Sequence, residues 1–325
     1  MADLKTFYMG YELKNPIILS SCSLSKNIDN LCQAEDSGIA AIVLASLFEE
    51  VIKNELGVVS DTFHPEAYEY GVDSSMLSYG ATKYIDLVKE AKKRLNIPVF
   101  ASVNCIDSEV WIDFARSIED AGADGLELNI SYISFQVDDN PRDIEDKYVE
   151  IVEKVKNKLN IPISVKLGPY FTSIPNMVKR LKDVGADAVV LLNRYYQMNY
   201  DFIEDKYVPI NYFSGDKECY NVLRWVGIVS SQLDIDIAAT TGFHTAKQIV
   251  EALYMGASSV QLATIFYKKG LVYAKELLKE VNEILEKQNC SSIKDIKGKA
   301  VDSFEEIKAL ERVQYMEYLN KASEG

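Results

Sequence analysis

The chain has 325 residues, 48% of them hydrophobic, and a formal net charge of −14. That acidity argues against nucleic acid and anionic membrane surfaces as partners, and no apolar run reaches the ~18 residues of a membrane span. No signal-peptide-like apolar region opens the chain, and the 5 cysteines fall singly, without metal-ligand spacing, as expected of a reduced cytoplasm.

Residues 3–14, DLKTFYMGYELK, alternate about a turn at Gly10 and predict a β-hairpin. Beyond it two phrases alternate. KNPIILS (14–20), LNIPVFASV (95–103), LNIPISVKL (159–167) and LDIDIAATT (233–241) form one set. DSGIAAIVL (36–44), DAGADGLEL (120–128), DVGADAVVL (183–191) and YMGASSVQL (254–262) form the other, each with a glycine closing a helix before an apolar strand. Runs of helical periodicity separate them, which is the spacing of βα units. Eight such units predict one α/β domain over 1–325, a (β/α)8 TIM barrel with an N-terminal hairpin (1–14) and a C-terminal helical extension (291–325). The hairpin is expected to close the bottom of the barrel. The extension includes an amphipathic helix at about 302–320 whose role as cap, dimer contact or lid is open.

Ligands bind such barrels at the carboxyl ends of the strands, so the residues there are the candidates. The first strand delivers Ser20 and Ser21, either ligand-approaching hydroxyls or a plain loop before a helix at about 28–37. The long segment 47–79, with His64 and several aromatic residues, is a candidate substrate cover. The third strand delivers Asn104 and Cys105, the latter expected to pack rather than react. The fourth delivers Asn129, Ser131, Tyr132 and Ser134, ahead of a helix whose first turn takes Pro141. Lys166 lies inside the apolar fifth strand. A buried ammonium needs a fixed partner, either a ligand or a structural salt bridge. The sixth strand ends on Asn193 and Arg194, and Ser214 and Gly215 precede a helix at about 219–232. Thr241 and Gly242, the latter opening a helix, and Ala263 and Thr264 follow the seventh and eighth strands. Small residues there suit a phosphate site built from backbone N–H groups.

With these residues assembled, the chain resembles the dihydroorotate dehydrogenase family of FMN-bearing (β/α)8 barrels over nearly its whole length. VKLGPYF (165–171) is similar to that family's VKLPPYF, LELNIS (126–131) to its NLS-containing fourth strand, and ATTGF (239–243) to its GTGGI phosphate turn. Ala263-Thr264 stands where the family has a GT pair, and SIKDIKGK (292–299) resembles its C-terminal S-I-x-x-x-x-G-K segment. The resemblance implies FMN over the strand ends, with Lys166 beside the flavin N1/O2 edge as a catalytic cation. It implies Ser20, Ser21 and Asn104 along the ring, and Ser214, Gly215, Thr241, Gly242, Ala263 and Thr264 around the ribityl phosphate. Asn129 and Asn193 would bind the flavin edge or a planar pyrimidine, with Ser134 on the substrate side.

The implied activity is oxidation of dihydroorotate to orotate in pyrimidine biosynthesis. A base takes the C5 proton while hydride passes from C6 to flavin N5. Three positions depart from the family. Its cysteine base is Tyr132 here, its second loop asparagine is Ser134, and a lysine at the end of the second strand is Ala45. Its Gly-Leu-Pro-Asn substrate loop is not recognisable at 73–80. Tyr132 is therefore the candidate base or, equally, a wall residue stacking on the substrate. The alternatives are an FMN oxidoreductase acting on another small molecule and a non-catalytic flavin-binding subunit of a redox assembly. A homodimer is implied. With no FAD or iron–sulfur motif in the chain, any electron-transfer partner would be a separate protein.

Overall fold

The computed structural model describes residues 2–49, 51, 80–105, 112–195 and 197–302. The first two strands, β1 (Thr6–Tyr8) and β2 (Tyr11–Leu13), form the antiparallel N-terminal hairpin. The barrel strands are β3 (Ile17–Leu19), β4 (Ala41–Val43), β6 (Val99–Cys105), β7 (Gly125–Ile130), β8 (Ile163–Leu167), β9 (Ala188–Leu191), β12 (Asp236–Thr240) and β13 (Ser259–Leu262). All pair in parallel with their neighbours in that order, and β13 returns to β3, so the sheet closes on itself. Strands buried on both faces read as continuous apolar runs, as in IIL, AIV and AVVL.

Helices alternate with the strands: α1 (Ile28–Asp36), α2 (Ala81–Arg94), α3 (Ile112–Asp120), α4 (Pro141–Lys156), α5 (Ile174–Asp183), α6 (Cys219–Ser230), α7 (Ala246–Tyr254), α8 (Thr264–Lys269) and α9 (Tyr273–Lys287). Their starts are written locally. Asn140 accepts from the Arg142 amide ahead of Pro141, Ser173 from Asn176, and Thr245 forms a capping box with Gln248. The repeated glycine has a conformational cause. Gly38, Gly122, Gly185 and Gly256 all hold φ between +92° and +100°, the left-handed residue that turns a helix end into the next strand.

Alternate strand residues point inward. Ile18, Ala41, Val43, Phe100, Ala188, Val190 and Ala238 form an interior apolar cluster with Tyr8, Met9 and Leu13 of the hairpin. The Tyr8 ring meets Phe100 edge-on at 5.9 Å, and the Met9 amide donates to Asp236 Oδ2 at 2.9 Å. The hairpin thus plugs the amino-terminal end of the barrel. Residues 291–301 pack beside it. The Asp3 amide donates to Ser291 O, Ile293 N donates to Asp3 O, and Lys297 Nζ donates to Ser258 Oγ.

Three differences from the sequence reading stand out. Residues 197–210 form a second hairpin, β10 (Gln197–Asp201) with β11 (Lys206–Ile210), which sequence pattern did not reveal. None of its strand residues is buried, so no buried face imposed an alternation. Gly242 does not open a helix. It sits in a turn at φ +83°, and α7 starts four residues later behind its Thr245 cap. Of the segment 47–79, Leu47–Phe48 form a short strand, β5, beside β6. Residues 50 and 52–79, with His64, and the expected helix at 302–320 beyond residue 302 lie outside the described residues.

Tyr8 is fully buried in the plug. Tyr8→Ala should lower the unfolding free energy by about 3–5 kcal/mol, the usual cost of emptying a buried aromatic site. Urea denaturation checks this, and a loss under about 1 kcal/mol would mean that the hairpin is not a structural plug.

Candidate active site

The opposite, carboxyl-terminal face of the strands carries an open, polar cleft, where ligands bind in barrels of this kind. Ser20, Ser21, Lys166, Asn193, Ser214, Thr241, Gly242, Ala263 and Thr264 line it, joined by Arg194, Tyr212, Thr240, Phe243, Gln261 and Leu262. Ten residues singled out from the sequence, Arg194 among them, are thereby brought to one place, from one strand and four βα loops.

Beside the cleft, strand register sets a row of polar residues, of which Lys166 and Asn193 line the cleft and Asn104 and Asn129 lie outside its lining. Asn104 on β6 stands opposite Asn129 on β7, and Asn129 opposite Lys166 on β8. The three are interior neighbours at one level. Asn193, just past β9, closes the row by donating its Nδ2 to Asn129 Oδ1 at 2.9 Å. Lys166 is 7% exposed. Its ammonium lies 3.8 Å from Glu127 Oε1, a carboxylate that is itself fully buried one layer below. Glu127 Oε2 accepts from Gln261 Nε2 at 2.8 Å, and Gln261 Oε1 accepts from Ser20 Oγ at 3.2 Å. Sequence reading missed Glu127 and Gln261. The signal was available: each is a polar residue within a strand, flanked on both sides by apolar ones.

The other end of the cleft is built from hydroxyls and a tight turn. Ser214 Oγ donates to Thr264 Oγ1 at 3.0 Å and lies 3.3 Å from His244 Nε2. Thr241 and Gly242 both have positive φ, +77° and +83°. A Cβ on Gly242 would meet the Cys219 nitrogen at 2.4 Å and the Gly215 oxygen at 2.9 Å, so the turn can lie against the start of α6 only as glycine. Gly215 is outside the cleft lining, and its amide donates to Glu218 Oε1 at 2.6 Å. Glu218 Oε2 also accepts from Arg194 Nε at 2.9 Å, which fixes that guanidinium at the rim. His244 was not singled out from the sequence. Burial and the nearby Lys268 charge lower its pKa, so near neutral pH the imidazole is uncharged.

The remaining candidates lie apart from this cleft. Tyr132 packs partly against the core at the tip of β7, its amide facing Tyr148 Oη at 3.4 Å, with Lys147 Nζ 4.9 Å above its ring. Ser134 is exposed and donates to Asp139 Oδ2 at 2.9 Å. Closer to the floor is Tyr195, stacked on Tyr170 at 5.2 Å between ring centres. Burial raises its phenol pKa, opposed by hydrogen bonds with Tyr148 and Ser131, so it serves as a donor rather than a base. Ala45 is buried just past β4. Among the described residues no group of three or more His, Cys, Asp or Glu gathers as metal ligands would.

A buried cation and paired amides at one end, with hydroxyls and a glycine turn at the other, suit a ligand that joins a polar planar ring to an anion. Comparison with known proteins agrees with that chemistry. The family model described as Dihydroorotate dehydrogenase matches residues 3–285. A dihydroorotate dehydrogenase B (NAD(+)), catalytic subunit, of Thermoplasma acidophilum is 29% identical, with 93% of this chain and 100% of that protein covered. The proteins of the same description from Thermoplasma volcanium and Methanocaldococcus jannaschii are 27% and 24% identical over 93% and 91% of this chain, covering 99% and 98% of their own lengths.

Two measurements test the turn and its surroundings. Gly242→Ala should cost about 1–3 kcal/mol of stability through backbone strain, read as a lowered thermal midpoint. A parent-like midpoint would refute the packing argument. His244 has a lowered folded-state pKa, so its contribution to stability is intact above the unfolded value near 6.5 and is lost as pH falls from there through the lower folded-state value. His244→Gln should therefore flatten the acid side of a stability–pH profile, and an unaltered profile would show that His244 does not titrate there.

Proposed function

The chain belongs to the dihydroorotate dehydrogenase family, and on that premise we propose that it oxidises dihydroorotate to orotate with FMN as its redox cofactor. It is an enzyme of dehydrogenase type. The observation that carries the finer reading is Lys166, a buried ammonium lining the strand-end cleft, beside the amides of Asn104 and Asn129 on two adjacent strands and of Asn193 just past β9.

The residues present fit FMN. The turn at Thr241 and Gly242 has no room for a side chain on the glycine, and the hydroxyls of Ser214 and Thr264 meet beside it. These groups, with Ala263, would hold a phosphate. Lys166 would face the pyrimidine edge of the ring system, with Ser20, Ser21 and Asn104 along it. When bound, FMN supplies a hydride acceptor.

The protein's own part is positional and electrostatic. Asn129 and Asn193, fixed by their mutual hydrogen bond, orient a planar substrate through its amide groups, and Ser134 lies on the outer, substrate side. Lys166 offsets negative charge that develops at the floor, where low dielectric strengthens the effect. The proton at C5 goes to a base on the outer face, for which Tyr132 occupies the family position. A second reading, another substrate for the same cofactor, draws support from one observation. Tyr132 packs under Lys147 outside the cleft lining, while Arg194 and Tyr195 crowd the rim beside Asn193.

The relatives are described as catalytic subunits that use NAD(+). We infer a separate electron-transfer subunit for this chain, acting in the cytoplasm. Among the described residues no helix is long and apolar enough to cross a membrane.

Anaerobic addition of dihydroorotate should bleach the visible flavin spectrum of the FMN-loaded protein. A spectrum that stays oxidised would move the assignment to another substrate, and failure to bind FMN would overturn the cofactor. Lys166→Ala should slow reduction by on the order of a hundredfold or more, as loss of one electrostatic stabiliser does. Tyr132→Phe should abolish most of the rate if Tyr132 is the base, whereas parent-like reduction removes it from that role.

A further inference from the structure

We propose that Glu127 is a positioning residue that sets how much positive charge Lys166 presents to the cleft, and thereby the redox poise of the flavin bound there. This rests on the flavin reading above. Glu127 is a fully buried carboxylate in the middle of β7, and the family resemblance gave it no role. Its two oxygens are treated differently. Oε2 accepts from Gln261 Nε2 at 2.8 Å, whereas Oε1 has no hydrogen bond among the described residues and faces Lys166 Nζ at 3.8 Å.

That separation is too long for a direct hydrogen bond but still within ion-pair range. The carboxylate therefore acts on Lys166 through its field while leaving the ammonium protons free to point into the cleft. A structural salt bridge in a barrel core would be expected to close to contact, because that contact repays the desolvation of both charges. Here the lysine stands between two claims, a fixed anion below and the ligand above.

The second oxygen links the pair to the opposite wall. Ser20 Oγ donates to Gln261 Oε1, and Gln261 and Ser20 both line the cleft. Four side chains, on β13, β7 and β8 and just past β3, thus cross the interior as Ser20–Gln261–Glu127–Lys166. Gln261 fixes the carboxylate in place, so Glu127 cannot swing up to take Lys166 away from the ligand. The arrangement subtracts part of the lysine's charge by a constant amount. Reduction of a flavin adds negative charge beside Lys166, so a carboxylate behind the lysine opposes it and holds the potential down. Removing the carboxylate's charge raises the potential.

Glu127→Gln tests this, because the amide retains an oxygen for Gln261 while losing the charge. The readout is the midpoint potential of bound FMN in an anaerobic reductive titration against a reference dye. Reduced FMN should be retained about tenfold more tightly, relative to oxidised FMN, than in the parent, an upward shift of about 30 mV for a two-electron couple. An unchanged or lowered potential in a folded, FMN-loaded variant would overturn the proposal. If Glu127→Gln does not fold, Glu127→Asp, which draws the charge away from Lys166, should shift the potential upward by less, and no shift would again overturn it.

A double-mutant cycle in the FMN-free full chain separates this proposal from the flavin reading. Lys166→Met should lower the melting temperature by stranding the carboxylate, and adding Glu127→Gln should restore part of the loss. Additive losses would refute the coupling. A parent protein that binds no FMN would overturn the flavin reading, and the redox proposal with it, while leaving the coupling measurable.

Discussion

One ion pair in the interior of a closed sheet governs how this barrel is built. Lys166 and Glu127 lie 3.8 Å apart with almost no access to solvent, where an unpaired charge of either sign would be prohibitive. Their presence divides the interior into layers. Below them the interior is mainly apolar, with Asp236 held by the Met9 amide and Ser258, and above them amides and hydroxyls gather. The barrel can hold charge at mid-height only because Gln261 satisfies one carboxylate oxygen and the cleft gives the ammonium an outlet.

The two ends of the barrel consequently carry different duties. At the amino-terminal end the hairpin inserts Tyr8, Met9 and Leu13 into the apolar layer, which is a matter of packing and stability. At the carboxyl-terminal end the loops bring hydroxyls, amides and one glycine turn around an open cleft. Side chains from β6, β7 and β8 hold a common level there because parallel register fixes their heights. This is the familiar division of labour in such barrels, a stable floor and a chemical roof.

Much of this was legible in the sequence, for a physical reason. A parallel barrel repeats one unit, and each unit needs a left-handed residue between helix and strand, so glycine recurs at matching places. Lys166 was legible because an ammonium within an apolar strand demands explanation. Glu127 and Gln261 posed the same demand, yet their meaning depends on which strands face each other across the interior, and no local pattern encodes that. The hairpin β10–β11 escaped notice because it buries neither face. Tyr132 illustrates the opposite limit. Its place in the chain suggests a base, but its ring lies under Lys147 of the following helix, a contact that local pattern does not encode.

The contact between Asp3 and the Ser291–Ile293 stretch bears on the order in which the molecule is made. The hairpin leaves the ribosome before the barrel strands, and its clamp only after the last of them. At about 5–20 residues per second the interval is on the order of 15–60 s. During that time β3 also waits for β13, the neighbour that completes the cylinder, so both its edge and the plug stand without their final partners. Such long-range closure is kinetically slow, and unpaired strand edges invite association with other chains. Until β13 is made, the edge of β3 beside the N-terminal hairpin is the seam the barrel has yet to close.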